Sequence, residues 1–155
     1  MFKLTMKKIL GIMVLGLLLS GNVQSMEMTS IEKYLSDKKP DDHNATIYSA
    51  IRCSALNTYF WSIILSSNGS KDANKFYDIA EKFALEASKL HSKILSSEFK
   101  KSAKMVISTR DKILKNYIKD GEENWVRTGS KFEDSYIDED RLLCASLYNN
   151  VISKW

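Results

Sequence analysis

The chain has 155 residues, of which 44% are hydrophobic, 27% are charged and a single one is proline. That length suits one domain with an ordinary core, and the composition excludes the disordered, collagen-like and low-complexity classes. The formal net charge is +4, but three lysines lie in the first 25 residues, which leaves 20 basic and 19 acidic side chains, a net +1, and no basis for a nucleic-acid partner.

The first 25 residues have the pattern of a secretory signal peptide. Lysines precede an apolar run over 9–19, and Val23-Gln24-Ser25 supplies small residues where a signal peptidase cleaves. The run is about half of the roughly 20 apolar residues needed to span a bilayer. We therefore predict that 1–25 is removed, that 26–155 is a single secreted or periplasmic domain, and that it has no stable membrane insertion. Asn44 and Asn68 begin glycosylation acceptor patterns, which matter only if the source is eukaryotic.

Two helices are predicted in the first third of this domain. Thr29 precedes Glu32 at the spacing of a capping box, which indicates a short helix near 29–37 that ends before Pro40. The next helix, near 44–66, contains the most apolar internal stretch, IRCSALNTYFWSIIL.

This second helix is apolar on most sides, which is typical of a central bundle helix or a membrane span. Arg52 and Asn57 interrupt it, and the apolar part that remains is too short to cross a bilayer. We predict a core helix.

Clear three- and four-residue spacing of apolar side chains follows. Runs from Phe76 to Ile94 and from Phe99 to Ile118 predict two amphipathic helices, the first starting at Ser70 and the second stopping at Gly121. Ser96 and Ser97 favour a corner between them over one bent helix.

The remaining chain predicts a short element around Trp125 and a last helix marked by Tyr136, Asp140, Leu143, Leu147 and Val151. Glycine and proline are scarce, so long elements are favoured over the many turns of a β-fold. The sequence thus predicts an all-α fold, a compact single-domain bundle of four to five helices.

The mature chain has two cysteines, Cys53 in the first main helix and Cys144 in the last. In an exported protein an even pair indicates a disulfide, and we predict that it joins these two helices. Closing so long a loop would contribute roughly 4 to 5 kcal/mol in the chain-entropy model. Neither C-x-x-C nor C-x-x-C-H is present, so redox and haem-attachment signatures are missing.

Residues with catalytic or metal-binding chemistry are few. His43 follows Asp41-Asp42, but acids at a helix start are more typical of capping than of a metal site. His91 has no second histidine at helical spacing, and we interpret it as a boundary residue. The paired acids of GEENW and YIDED do not predict opposed carboxylates. We expect no catalytic residue, no metal and no cofactor, and hence no enzyme.

Charge is distributed unevenly along the second half. Residues 89–119 hold nine bases and two acids, whereas 120–140 hold eight acids and two bases. One interpretation is complementary pairing of neighbouring helices. The other is a basic face that binds an acidic partner, such as an anionic envelope surface. The lysines of this basic face are Lys93, Lys100, Lys101, Lys104, Lys112 and Lys115.

Three functional classes remain open. The first is a secreted or periplasmic, non-catalytic protein that binds a protein or envelope partner. The second is a small apolar ligand binder, and the third, less favoured, is an envelope-polymer hydrolase. An apolar pocket would favour the second class, and a cleft with two opposed carboxylates the third. The aromatic residues that could line such a pocket are Tyr59, Phe60, Trp61, Phe83 and Tyr148.

Overall fold

The computed structural model describes residues 28–68 and 70–150, so the predicted signal peptide and the last five residues lie outside the described part. Helices alone make up its regular structure, which confirms the all-α prediction. They are α1 (Ile31–Ser36), α2 (His43–Asn68), α3 (Ser70–Ile94), α4 (Phe99–Thr128) and α5 (Tyr136–Asn150).

α2 is the central helix and contacts each of the other four. It packs most extensively on α3 and α4, with which it forms a three-helix unit, while α1 and α5 pack on each other and on α2. Ile51, Ala55 and Leu56 of α2 are buried in the shared core. The prediction of a core helix here is therefore confirmed.

A disulfide joins Cys53 of α2 to Cys144 of α5, as predicted. The two Cα atoms are 5.4 Å apart and the residues are 91 positions apart in the sequence. Both side chains are buried. The bond thus closes a long loop and fixes the last helix to the central one.

Helix starts are set by short polar side chains. The α1 N-cap is Ser30, whose Oγ accepts from the Lys33 N–H at 3.4 Å, and not Thr29 as the capping-box spacing suggested. The α2 start has Asp42, whose Oδ1 accepts from the Ala45 N–H at 3.0 Å. The interpretation of this acidic pair as a cap is confirmed for Asp42.

Two separate helices, α3 and α4, confirm the predicted corner, which spans residues 95–98. Ser96 adopts a left-handed backbone with φ of 47°. Glu98 occupies the α4 N-cap position without a side-chain cap, so neither Ser96 nor Ser97 is the N-cap of this helix. The charge of Glu98 still lies at the positive end of the helix.

The predicted stop at Gly121 and the separate element at Trp125 are both wrong. α4 continues through both residues and ends at Thr128. The left-handed C-cap is Gly129, with φ of 77° and an N–H that donates to the Trp125 carbonyl at 2.8 Å. Gly121 instead provides room for a neighbour, because a Cβ there would lie 2.0 Å from the Tyr59 hydroxyl oxygen.

Gly121→Ala should lower the free energy of unfolding by about 1–3 kcal/mol, because the new methyl overpacks the core against Tyr59. In an unconstrained helix the same change would stabilise by about 0.5–1 kcal/mol. Tyr59→Phe removes the worst contact, and within the described part of the chain the Tyr59 hydroxyl has no hydrogen-bond partner. The double variant should therefore recover part of the loss in urea denaturation. An alanine variant as stable as the parent would contradict this account.

Candidate functional site

A buried ion pair lies next to the disulfide. Arg52 of α2 is 1% exposed and Asp140 of α5 is 0% exposed. An Arg52 Nη donates to Asp140 Oδ2, and the Tyr117 hydroxyl of α4 donates to the same oxygen at 2.5 Å. The other carboxylate oxygen accepts from the Ile31 N–H at 2.6 Å. Arg52 also donates to the Thr29 carbonyl at 2.7 Å.

These hydrogen bonds match the protonation states expected of the cluster. Burial raises the pKa of the Tyr117 hydroxyl well above its usual value, so it stays a donor. Burial opposes the Arg52 charge, but the fields of Tyr117 and Asp140 outweigh it and raise the Arg52 pKa. Burial also raises the pKa of Asp140, against the opposing effects of Arg52 and the hydrogen bonds from Tyr117 and Ile31.

The chemistry of this cluster is structural. Three donors surround the Asp140 carboxylate, which leaves it poorly placed to take a proton from a substrate. The sequence does not predict the pair, since Arg52 interrupts an apolar helix and Asp140 lies on a largely apolar stripe of the last helix. Each of the two residues lies within one helical turn of a cysteine, and that shared position is the signal that could have indicated them.

A polar cavity of about 1090 Å³ opens beside the cluster. The Tyr136 hydroxyl donates to Asp120 Oδ2 at 2.6 Å in its wall, and burial raises the Tyr136 pKa. Two unburied carboxylates line it, Asp120 and Glu123, but they lie three residues apart on α4. They are not opposed across a cleft as two catalytic carboxylates of a glycosidase must be.

A second concavity, of about 800 Å³, is an apolar groove bounded by α1, α2, α3 and one residue of α5. Its floor and walls are mainly aliphatic and aromatic carbon. The apolar side chains that line it are Leu35, Ala45, Ala50, Phe83, Ala87, Leu90 and Leu147.

The groove has a charged rim. Four lysines, Lys38, Lys39, Lys89 and Lys93, and two acids, Asp42 and Glu86, also line it, a net +2. Both acids are engaged, since Asp42 caps α2 and Glu86 pairs with Lys89 at 2.7 Å. The Lys38 ammonium lies 5.0 Å from the Tyr34 ring centre. The rim is therefore basic around an apolar interior.

The five aromatic residues suggested for a pocket do not form one site. Phe83 alone among them lines the groove. The ring centre of Tyr148 lies 6.3 Å from the ring centre of Phe83. Tyr59 and Phe60 are buried, and both contact Phe132. Burial raises the Tyr59 pKa to about 12, with a further contribution from the Glu122 charge.

The fifth aromatic, Trp61, is half-buried and packs on Tyr77 at 5.6 Å between ring centres. It lies apart from Phe83 and the groove lining. The five aromatic residues therefore do not line a common pocket, because four of them lie in the core or on other surfaces.

The six lysines of the predicted basic face are all exposed. Five of them lie on α4 within about 120° of one another around the axis, opposite the buried residues Val106, Ile113 and Tyr117. Within residues 28–68 and 70–150 none of the six forms an ion pair. These lysines do not make the predicted interhelical charge pairing.

Acidic residues of 120–140 form ion pairs with bases other than the six lysines. Glu122 pairs with Lys131, and Asp138 pairs with Arg141 at 2.8 Å. Among the ion pairs of the described residues, Lys119–Glu123 alone joins the basic and acidic blocks, and its two members are one turn apart on α4.

The histidines lie apart from each other. His43 is the exposed first residue of α2, and His91 Nδ1 lies 2.9 Å from Ser102 Oγ in the α3–α4 interface. Across the described ranges, no three potential His, Cys, Asp or Glu ligands come together in a metal-binding arrangement. Neither histidine is therefore part of a multidentate cluster there.

No protein-family model, curated protein or solved structure matches this chain. Among the helices of residues 28–68 and 70–150, none has both the length and the apolar character required to cross a bilayer.

Breaking the buried ion pair should be costly. Arg52→Met or Asp140→Leu alone should lower the free energy of unfolding by about 3–5 kcal/mol, because each leaves an unpaired buried charge. The Arg52→Met/Asp140→Leu double variant should lose much less than the sum of the two.

Arg141→Met supplies the matched control, since its pair with Asp138 is exposed and should contribute no more than about 1 kcal/mol. Urea denaturation of the four variants measures the coupling energy. Additive losses from Arg52 and Asp140 would show that the pair is not coupled.

Proposed function

We propose that this protein is an exported, non-catalytic binding protein whose groove takes an amphipathic anion, a ligand with an apolar chain and a carboxylate, sulfate or phosphate head. The observation that carries this proposal is the apolar groove with its basic rim. Ligand sites are characteristically concave and apolar, with a few placed polar groups that fix orientation.

Export is supported by two independent features. The leader-like segment 1–25 has the charge and apolar pattern of a signal peptide. The Cys53–Cys144 disulfide is typical of proteins that fold in an oxidising compartment, outside the cytosol. A secreted or periplasmic location follows from taking the two together.

The size of the groove suits a ligand of modest length. Its volume of about 800 Å³ falls within the roughly 300–1,000 Å³ of small-molecule sites. Alanines at three positions, Ala45, Ala50 and Ala87, leave space between α2 and α3 that larger side chains would fill. Burial of an alkyl chain there would contribute about 0.8 kcal/mol for each methylene removed from water.

The positive charge of the rim favours one kind of ligand head group. Lys39 and Lys93 line the groove without an ion-pair partner among the described residues, whereas both rim acids are engaged. An anionic head beside these ammonium groups would be favoured over a neutral or cationic one. This electrostatic preference distinguishes the proposal from a purely apolar binder.

A protein or envelope partner remains a second binding role, and the basic face favours it, because its six lysines form no ion pair with any described residue. The hydrolase alternative has weaker support. Asp140 is held by Arg52 and Tyr117, while Asp120 and Glu123 project from one helix.

Binding of dodecanoate, dodecanol and dodecyltrimethylammonium, each below its micellar concentration, tests the groove by calorimetry. Dodecanoate should bind most tightly. Thr46→Trp, a change at an exposed position in the lining, should obstruct the groove and abolish binding without unfolding the protein.

Lys39→Glu/Lys93→Glu should weaken dodecanoate binding by about tenfold, equivalent to about 1.4 kcal/mol, and should not weaken the cation. Lys112→Glu/Lys115→Glu has the same charge change away from the groove and should leave binding unaltered. Equal affinity for all three probes, or dodecanoate binding that survives Thr46→Trp, would contradict the proposal.

A further inference from the structure

The corner between α3 and α4 exposes two large apolar side chains. Leu95 is 59% exposed and Phe99 is 47% exposed, and they stand at either end of residues 95–98. Isolated apolar residues on a surface are common. Here two of them lie within five residues at the turn between two helices, and we call this pair the apolar tip.

Hydrogen bonds hold this corner in one shape. The Ser92 hydroxyl donates to the Ser97 carbonyl at 2.6 Å, and the Ser97 N–H donates to the Ser92 carbonyl at 3.1 Å. The Ser97 and Ser102 hydroxyls are 2.7 Å apart, and Ser102 also contacts His91. The apolar tip is therefore presented on a braced turn, so that ordering it on binding would cost little conformational entropy.

Lysines surround the tip. Lys93 is in the last turn of α3, Lys100 and Lys101 are in the first turn of α4, and Lys104 follows one turn later. All four are exposed. Glu98 is the one acid in the sequence between residues 87 and 110, so the charge beside the tip is strongly positive.

We propose that this corner docks the protein on an anionic lipid bilayer, with Leu95 and Phe99 entering the headgroup region and the adjacent lysines contacting lipid phosphates. Apolar side chains that enter the interface, combined with basic residues beside them, are the two elements of peripheral membrane binding. An acidic polypeptide bound through charge alone would leave the leucine and phenylalanine in water, whereas a bilayer interface takes up both side chains.

Only those lysines of the basic face that lie near the α3–α4 corner would contact the bilayer. Lys112 and Lys115 lie about 20 Å or more along the α4 axis from Phe99, given 1.5 Å per residue, which is beyond the roughly 10 Å reach of charges at moderate salt. Lys93 belongs both to the corner and to the groove rim. Docking does not depend on the groove holding a ligand, and the two proposals can fail separately.

Vesicle flotation tests the docking. It uses the purified exported protein, after its mass has shown that residues 1–25 are removed. The probes are phosphatidylcholine vesicles with and without phosphatidylglycerol. Binding should require phosphatidylglycerol and should weaken as NaCl is raised. Leu95→Ser/Phe99→Ser and Lys100→Glu/Lys101→Glu should each reduce the partition coefficient by at least about tenfold.

Two matched variants serve as controls, with the fold of each verified by its melting temperature. Val126→Ser/Leu142→Ser removes exposed apolar side chains elsewhere, and Lys112→Glu/Lys115→Glu reverses charge on the far part of the same face. Both should stay within about twofold of the parent. Absence of binding, equal binding to neutral vesicles, or equal losses in the control variants would overturn the proposal. So would tight binding to polyglutamate that is unchanged by Leu95→Ser/Phe99→Ser, since it would indicate an acidic polypeptide as the partner.

Discussion

The buried ion pair between Arg52 and Asp140 is the constraint on which the other features depend. A charge that is fully removed from water must be paired and hydrogen-bonded, or it destabilises the fold by several kcal/mol. Its partners here come from α2, α4, α5 and the start of α1 with the residues just before it, so the pair can be satisfied only when all four parts are assembled. The disulfide, one residue along α2, joins the same two helices covalently.

The ion pair and the disulfide affect the binding surfaces through the helices that they hold in place. α2, α3 and α4 pack broadly on one another, whereas the short helices α1 and α5 have few contacts of their own. The groove needs both kinds of element, because Leu35 of α1 and Leu147 of α5 complete walls that α2 and α3 begin. The α3–α4 corner belongs to the three-helix unit alone. Loss of the α2–α5 links should therefore affect the groove and leave the corner intact.

The helices and the disulfide were predictable from the sequence, whereas the other long-range contacts were not. Apolar spacing identified the helices, and the expected compartment identified the disulfide. Arg52 and Asp140 are 88 positions apart, and a charge on an apolar helix carries no local sign of its partner. Gly121 after an acid has the local pattern of a helix end, yet the reason for glycine is the approach of Tyr59 from another helix. The groove combines residues from four helices, so its basic rim could not be recognised in any one segment.

Hydrogen exchange of the oxidised and the mildly reduced protein tests most directly the claim that the α2–α5 links hold the outer helices. Reduction removes the Cys53–Cys144 bond, and amides of α1 and α5 should then exchange about tenfold faster or more through local opening. Amides in the centres of α2, α3 and α4 should keep most of their protection. Uniformly faster exchange in all five helices, or unchanged exchange in α5, would contradict the account.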